Sequence, residues 1–268
     1  MRYIGLDLAW GKRNTSAAVV LEGDTGGSGA AYRAMEDALT DDDSILRFMD
    51  QWDNGGGLLI AIDAPTLVPN DTGRRPCEDE LSRRMHRYEA GPHPANRTLL
   101  GGPDGTIRGE RLVAALAERS ITHTPFLADA GNPTRAVFEV FPHPCHIGLF
   151  GLEKTLKYKA KPKRPRELRL AEFRRYAALL ESLQSADPPL RLPDSPDFWL
   201  RQNPEPMKTA TLKRYEDALD ALTCAYVALY HHHWYQPQNG QEEPGQRTEI
   251  IGDLEKGYIL IVPPAPQE

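Results

Sequence analysis

The chain contains little cysteine, and its three cysteines are widely separated. Cys77, Cys145 and Cys224 have no metal-ligand spacing and are odd in number, which argues against a disulfide framework and indicates a reducing compartment. No hydrophobic run approaches the length of a membrane span. Residues 1–10 enter a strand pattern directly, without the features of a signal peptide. We therefore expect a cytoplasmic protein that has no membrane partner.

An excess of positive charge is also missing. The chain has 38 acidic and 32 basic residues and a formal net charge of −6. This balance argues against a protein that coats nucleic acid, but not against an enzyme whose acids hold metal ions. From the length of 268 residues we expect a single domain, residues 1–268, with a charged, helical insertion at about residues 66–130 and a proline-rich loop at about residues 186–208.

Hydrophobic patterns predict a sheet covered by helices. Alternation of apolar and polar side chains predicts strands at residues 2–10, 16–21 and 30–34. A helix is predicted at residues 42–50. The continuous apolar run 58–62 is typical of a strand buried on both faces. This order of elements indicates a mixed α/β sheet. Later in the chain we expect helices at residues 78–88, 108–120 and 167–183, a strand at 136–141, and a hairpin of residues 249–252 and 257–262.

Residues 212–230 predict a helix that is apolar on most of its sides. Its charged residues form one narrow strip that includes Asp217 and Asp220, which are three apart and therefore neighbours. If this helix is buried, the two acids must face a cavity, a cation or another polar group. The alternative is an amphipathic helix whose acids face water.

Three further acids, Asp7, Asp63 and Glu139, lie within or at the ends of apolar strands. Asp63 could instead cap a turn, and Glu139 could pair with Lys157 or Arg135. An unpaired buried carboxylate is costly, so three in one sheet, together with the acids of the late helix, indicate one shared site. Hard divalent cations prefer oxygen ligands, and a pair of them can activate water and stabilise the leaving oxygen of a phosphodiester.

Several short motifs resemble a known family in their content and order. They are Gly5-Leu6-Asp7-Leu8-Ala9-Trp10-Gly11, Ile62-Asp63-Ala64-Pro65, Gly73-Arg74-Arg75-Pro76-Cys77, Glu139-Val140-Phe141-Pro142-His143-Pro144, Tyr158-Lys159-Ala160-Lys161, and residues 217–225 and 249–263. A first-strand aspartate in a three-stranded meander, an acid ending the fourth strand and an Asp-x-x-Asp in a late helix resemble the ribonuclease-H-like superfamily that includes the Holliday-junction resolvases. More closely, the chain resembles the DUF429 family, whose members are predicted to be ribonuclease-H-like nucleases.

This resemblance implies a ribonuclease-H-like mixed five-stranded sheet flanked by helices, with inserted loops and helices and a C-terminal hairpin. It also implies that Asp7 bridges two Mg²⁺ or Mn²⁺ ions, that Asp63 is the fourth-strand ligand, and that Asp220, with Asp217 beside it, supplies the helix ligands. Glu139 is then either a further catalytic ligand or an acid behind the ligands. The resolvases carry a glutamate where Asp63 stands, so the reach to a metal is shorter here.

Basic residues near these acids are candidates for substrate binding. They are Lys157, Lys159 and Lys161 of the run that follows the Glu139 strand, and Arg74 and Arg75. Such cations could contact phosphates and concentrate an anionic substrate. The alternative interpretation for all of them is a solvated surface.

Histidines occur near the acids and at the end of the late helix. His143 is a candidate for substrate binding, for a general base or for a neighbour of the metal. His231, His232 and His233 are consecutive and cannot share one helix face. We expect these three to be exposed and to complement the helix dipole.

These observations favour a nuclease that hydrolyses phosphodiester bonds in DNA or RNA with two divalent ions. Low overall basicity suggests a small or structured nucleic-acid substrate rather than any duplex. One alternative is a non-catalytic module that binds nucleic acid or protein on the same fold. Another is an ATP- or phosphate-handling enzyme of the actin and sugar-kinase branch, although residues 10–13 lack the glycine-rich, threonine-containing turn of that branch.

Overall fold

The structure, a computed structural model, describes residues 1–11, 14–102, 104–235 and 247–265. Its strands are β1 (Arg2–Asp7), β2 (Ser16–Gly23), β3 (Ala30–Leu39), β4 (Leu58–Asp63), β5 (Thr122–His123), β6 (Arg135–Glu139), β7 (Leu190–Arg191), β8 (Glu249–Asp253) and β9 (Gly257–Ile261). Its α-helices are α1 (Asp42–Trp52), α2 (Pro76–Met85), α3 (Arg97–Leu100), α4 (Arg108–Ala117), α5 (Pro142–Phe150), α6 (Arg166–Ser182) and α7 (Thr209–Tyr235).

The central sheet has the strand order β5-β6-β4-β1-β2-β3-β7. The pairs β1–β2 and β2–β3 are antiparallel, and the four other pairs are parallel. The chain is therefore an α/β protein with a mostly parallel sheet, and its five long strands are those that the sequence predicts. The expected count of five is nevertheless wrong, because β5 and β7 add one short strand at each edge. Two residues are too few to produce a recognisable alternation.

Successive side chains of the central strands point to opposite faces of the sheet, so the core has two layers. Tyr3 of β1 and Leu59 of β4 point to the face covered by α7. Ile4 and Ile60, one residue further along each strand, point to the opposite face. That face packs against α1 and α4 through Ile45, Met49, Leu112 and Leu116. Because both faces are covered, β4 has the continuous apolar sequence expected of a buried parallel strand.

Helix α7 crosses the sheet in close contact with β1, and Gly5 permits this approach. A Cβ atom on Gly5 would lie 2.0 Å from the carbonyl oxygen of Ala221 and 2.2 Å from the backbone nitrogen of Ala225. Glycine in a strand commonly marks such a close approach of another backbone. The sheet and the helix backbone therefore meet directly at this crossing.

The end of α7 differs from the expectation of an exposed histidine cluster. His231, His232 and His233 are all buried, because the helix continues along the sheet as far as Tyr235. The imidazoles have these hydrogen-bond partners: Thr248 Oγ1 and the Pro125 carbonyl for His231, the Tyr3 hydroxyl for His232, and the Gly27 carbonyl for His233. Burial lowers the pKa of both His231 and His232 to about 4.

The remaining segments add short elements around the central strands. Residues 66–130 contain α2, α3, α4 and β5, and residues 186–208 contain β7 and a short 3-10 turn at Trp199–Arg201. The closing hairpin β8–β9 forms a separate two-stranded sheet and approaches β6 through a bridge between Val140 and Leu260. Among the described residues, no helix combines the length and hydrophobicity that crossing a bilayer requires.

Candidate metal centre

Three carboxylates converge where β1, β4 and α7 meet. Asp7 is the last residue of β1 and Asp63 the last residue of β4, and the parallel register places them side by side. Asp220 comes from α7, next to the point where the helix contacts Gly5. One oxygen from each of the three carboxylates lies within 4.8 Å of the others. We call Asp7, Asp63 and Asp220 the carboxylate cluster.

Two tyrosines hold Asp220 in a defined orientation. Tyr158 and Tyr176 both donate hydroxyl hydrogen bonds to Asp220 Oδ1, at 2.6 and 3.0 Å. The Tyr176 hydroxyl also lies 2.6 Å from Thr223 Oγ1 and 2.7 Å from His146 Nε2. Sequence analysis missed Tyr176 because nothing in α6 indicates that this residue faces α7. It included Tyr158 only as a member of a motif.

Lys159 is paired with an acid of the cluster and is only partly exposed. Its ammonium nitrogen is 3.0 Å from Asp220 Oδ2, and 28% of its side chain is exposed. Burial alone would lower the pKa of Lys159, but the neighbouring acids, with Asp220 first, raise it well above its usual value. Burial would likewise raise the pKa of Asp220, but Lys159 and its other neighbours keep that pKa below the ordinary value.

Asp7 contributes an oxygen that lacks a partner. Among the described residues, its Oδ2 atom is buried and has no hydrogen bond. Burial raises the pKa of Asp7 to about 6, and burial raises that of Asp63 well above its ordinary value. A buried, unpartnered carboxylate oxygen next to two further carboxylates is a set of donors that suits a hard divalent cation.

Asp217 and Glu216 extend the acidic region along α7. Asp217 forms an ion pair with Lys213, and burial together with the charge of Asp7 raises the pKa of Asp217 to about 9. Glu216 lies 3.0 Å from Lys213 and 3.9 Å from Arg169. Asp217 is not one of the three converging carboxylates, and the site prediction did not include Glu216.

Full ionisation would give the region an excess of negative charge, and the raised pKa values of Asp7, Asp63 and Asp217 reflect the cost of that state without a metal ion. Its five carboxylates, those of Asp7, Asp63, Asp217, Asp220 and Glu216, are accompanied by the three basic side chains of Lys159, Lys213 and Arg169. When all are ionised, two negative charges remain. A divalent cation would compensate this excess, which is otherwise costly in a buried region.

Glu139 is bound by Arg75 instead of joining the cluster. Arg75 donates to both oxygens of Glu139, at 2.9 and 2.6 Å, and to Glu78 at 2.8 Å. Burial raises the pKa of Glu139, and Arg75 opposes that increase. The two partners considered for Glu139 are engaged elsewhere: Arg135 pairs with Asp53, and Lys157 pairs with Glu89.

The predicted substrate-binding residues have different environments. Arg75 is only 1% exposed, and its guanidinium group is used by Glu78 and Glu139. Arg74 donates to Ser82 and to the Pro92 carbonyl. Within the described part of the chain, Lys161 has no ion-pair partner, and it is exposed.

His143 is partly buried and lies close to the cluster. Its Nδ1 atom lies 2.7 Å from Thr155 Oγ1, and its ring stacks on Tyr158 with the centroids 5.6 Å apart. Burial, followed by the charge of Lys159, lowers the pKa of His143 well below its ordinary value. This shift favours the neutral form of the imidazole.

The carboxylate cluster lies beneath a cleft with a volume of about 410 Å³. Its floor includes Asp7, Asp63 and Asp217, and its walls carry basic and aromatic side chains: Lys157, Lys159, Lys161, Arg164, Lys213, Trp10, His93, Phe141 and His143. The cleft opens at the carboxyl ends of β1 and β4, where open α/β sheets usually bind ligands. Arg75 and Glu139 also line it, while Arg74 does not.

The fold and the site define an α/β protein with a carboxylate cluster below a cleft that is lined by both acidic and basic side chains. Residues 5–235 match the family model described as "Protein of unknown function (DUF429)". Because this match covers most of the chain, the protein belongs to the DUF429 family. No curated protein and no solved structure shows a significant match to the chain.

Proposed function

We propose that this protein is a divalent-metal-dependent hydrolase that cleaves phosphodiester bonds in nucleic acid. The observation that carries the proposal is the carboxylate cluster, with its unpartnered Asp7 oxygen, at the floor of a cleft that several lysine and arginine side chains also line. Acids alone would repel a phosphate, and basic residues alone would only bind it. The combination suits an anionic substrate that is bound together with a cation.

Asp7, Asp63 and Asp220 would hold Mg²⁺ or Mn²⁺. Asp217, which interacts with Asp7, is the candidate for a second ion once Lys213 has moved away. Divalent ions at such a site polarise a phosphoryl oxygen and lower the pKa of a coordinated water. The order of the acids, at the ends of β1 and β4 and on a late helix, supports the relation to ribonuclease-H-like nucleases.

The side chains around the cluster would then have separate tasks. Tyr158 and Tyr176 orient Asp220 by donating to its Oδ1 atom. Lys159 would leave the cluster when a cation enters and would then contact the phosphate from the wall of the cleft, together with Lys161. The buried Arg75–Glu139 pair would brace the end of β6 beside the site instead of touching the substrate.

Calorimetric titration with Mn²⁺ and a nuclease assay test this proposal together. We expect Asp7→Asn and Asp220→Asn to lose both Mn²⁺ binding and cleavage of labelled single-stranded and branched DNA and RNA. Asp197→Asn, which changes an exposed aspartate outside the cluster, should retain both. Metal-dependent cleavage that persists in Asp7→Asn would contradict the proposed site.

One observation favours a second candidate, a non-catalytic binding module. The ammonium group of Lys159 already pairs with Asp220 Oδ2, and an ammonium bound there permanently would compete with an ion for that oxygen. In that case the wild-type protein would bind nucleic acid without binding Mn²⁺, and no divalent ion would support cleavage.

A further inference from the structure

An exposed tryptophan stands at the mouth of the cleft. Trp10 follows β1 three residues after Asp7 and is 46% exposed. The other large apolar side chains that are similarly exposed within the described residues, Leu99, Phe126, Leu168 and Leu254, do not line this cleft. Leaving a large indole in water forgoes a substantial hydrophobic gain, so its exposure at this position calls for an explanation.

The surroundings of Trp10 leave its ring available. Within the described residues, the indole has no aromatic or cationic partner and its N–H has no hydrogen bond. Leu8, two residues earlier, is 1% exposed and packs into the core. The strand is therefore anchored firmly up to the residues that precede Trp10, and the ring is held near the cluster without being part of the core.

Other walls of the cleft carry positively charged side chains in addition to the aromatic ring. Lys161 and Arg164 line the cleft and come from the segment that follows α5. Arg164 uses one of its nitrogens to donate to the Lys159 carbonyl, at 2.6 Å, and Lys161 is exposed. The cleft therefore offers a flat aromatic surface, free cations and an acidic floor around one volume.

We propose that Trp10 is a stacking platform for an unpaired nucleobase next to the phosphate that Lys161 and Arg164 bind. The inference rests on the proposed function, because it assigns the occupant of the same cleft. It identifies the substrate as nucleic acid with at least one unpaired nucleotide. A base inside a duplex is already stacked on its neighbours and cannot present its face to Trp10, whereas every unpaired base has a free face.

The size of the cleft agrees with this assignment. Its volume of about 410 Å³ falls at the lower end of the range typical of small-ligand sites, roughly 300–1,000 Å³. A nucleotide unit fits such a space, whereas a duplex, with two backbones, does not. Stacking on an aromatic ring tolerates any base, so we expect little sequence preference from Trp10.

Fluorescence anisotropy with two probes tests the platform. The probes are a labelled oligothymidylate and a labelled chain of abasic phosphodiesters of the same length, both measured in EDTA so that no divalent ion supports cleavage. Wild-type protein should bind the oligothymidylate more tightly. Trp10→Ala should weaken that binding by about 5- to 150-fold, the usual effect of removing a stacking side chain, and leave binding of the abasic chain unchanged.

Two further variants make the result specific. Trp10→Phe keeps an aromatic ring and should retain most of the preference for oligothymidylate. Phe126→Ala removes an exposed aromatic ring outside the cleft and should behave as wild type. Equal affinity of the wild type for both probes, or an equal loss for both in Trp10→Ala, would overturn the platform.

The platform and the proposed hydrolase can fail independently. If Asp7→Asn abolishes metal-dependent cleavage while Trp10→Ala binds both probes as wild type does, the hydrolase stands and the platform is refuted. If Trp10→Ala loses the preference for bases but no divalent ion supports cleavage, the platform stands and the hydrolase is refuted.

Discussion

Replacing Lys159 by methionine should make the protein bind Mn²⁺ more tightly. The substitution keeps an unbranched side chain of similar length and removes only the ammonium group, which lies 3.0 Å from Asp220 Oδ2. A cation that enters the carboxylate cluster must displace this ammonium group. Without Lys159, that competition disappears.

The size of the effect follows from the geometry. Two unit charges about 4 Å apart attract each other by about 4 kcal/mol at an effective dielectric constant of about 20. The displaced ammonium regains part of this energy in the cleft, where water can solvate it. We therefore expect a net gain of about 1.4–2.8 kcal/mol, which corresponds to a Kd for Mn²⁺ about 10- to 100-fold lower.

Isothermal titration calorimetry with Mn²⁺ measures the effect directly. Lys161→Met is the matched control, because Lys161 is a lysine of the same cleft without an ion-pair partner in the described structure, and its affinity for Mn²⁺ should stay close to that of the wild type. In the absence of metal, Lys159→Met should also be less stable than the wild type by about 3–5 kcal/mol, since buried carboxylates lose their counter-ion.

An unchanged or weaker Mn²⁺ affinity in Lys159→Met would refute the reasoning. It would mean that the ammonium group does not compete with the ion, either because both occupy the region together or because no ion enters it. Tighter binding that occurs equally in Lys161→Met would indicate a general effect of net charge instead of local competition.

Three further predictions concern the same region. In EDTA, the free energy of unfolding should fall by about 1 kcal/mol per pH unit between about pH 7 and pH 8.5. The reason is that native Asp217, whose pKa is raised to about 9, still binds a proton that the unfolded chain has already released. Thermal unfolding of the wild type and of Asp217→Asn over this pH interval measures the slope. Arg75→Met should cost about 3–5 kcal/mol in urea unfolding, because it leaves two buried glutamates without a counter-ion. Gly5→Ala should lower the free energy of unfolding by about 3 kcal/mol or more and abolish Mn²⁺ binding, because the new Cβ would force α7 away from β1. Gly26→Ala is the control, because the atom added there meets only ordinary contact distances.

Each of these predictions has a result that contradicts it. A slope that survives in Asp217→Asn would assign the pH dependence to another group. The stabilisation that comes with the raised pKa of Asp217 is fully present at low pH and is lost as the pH rises towards the native pKa. A free energy of unfolding that increases between about pH 7 and pH 8.5 would therefore also contradict the assignment. Wild-type stability in Arg75→Met would show that its partners find other cations, and wild-type Mn²⁺ binding in Gly5→Ala would show that the contact between α7 and β1 does not position the cluster.

The sequence alone was sufficient to predict the five long strands and a late helix that carries acids, and the three acids of the cluster are among the five site acids that it indicated. Alternating and continuous apolar patterns can be recognised from residues that are neighbours along the chain. Asp7 and Asp63 are each the last residue of such a strand. Because parallel strands end at the same edge of a sheet, two acids at the ends of neighbouring strands come together. The same local information identified α7 as a buried helix that carries acids.

The tertiary structure decided which acid of α7 joins the cluster and which side chains surround it. Asp217 and Asp220 are equivalent in sequence terms, and the contact of Gly5 with Ala221 places Asp220 beside Asp7. Lys159 and Lys161 belong to one basic run, yet only Lys159 pairs with an acid of the cluster. The partners of Asp220, Tyr158 and Tyr176, lie far from it along the chain, and only the packing of the segments onto α7 brings their hydroxyl groups to its carboxylate.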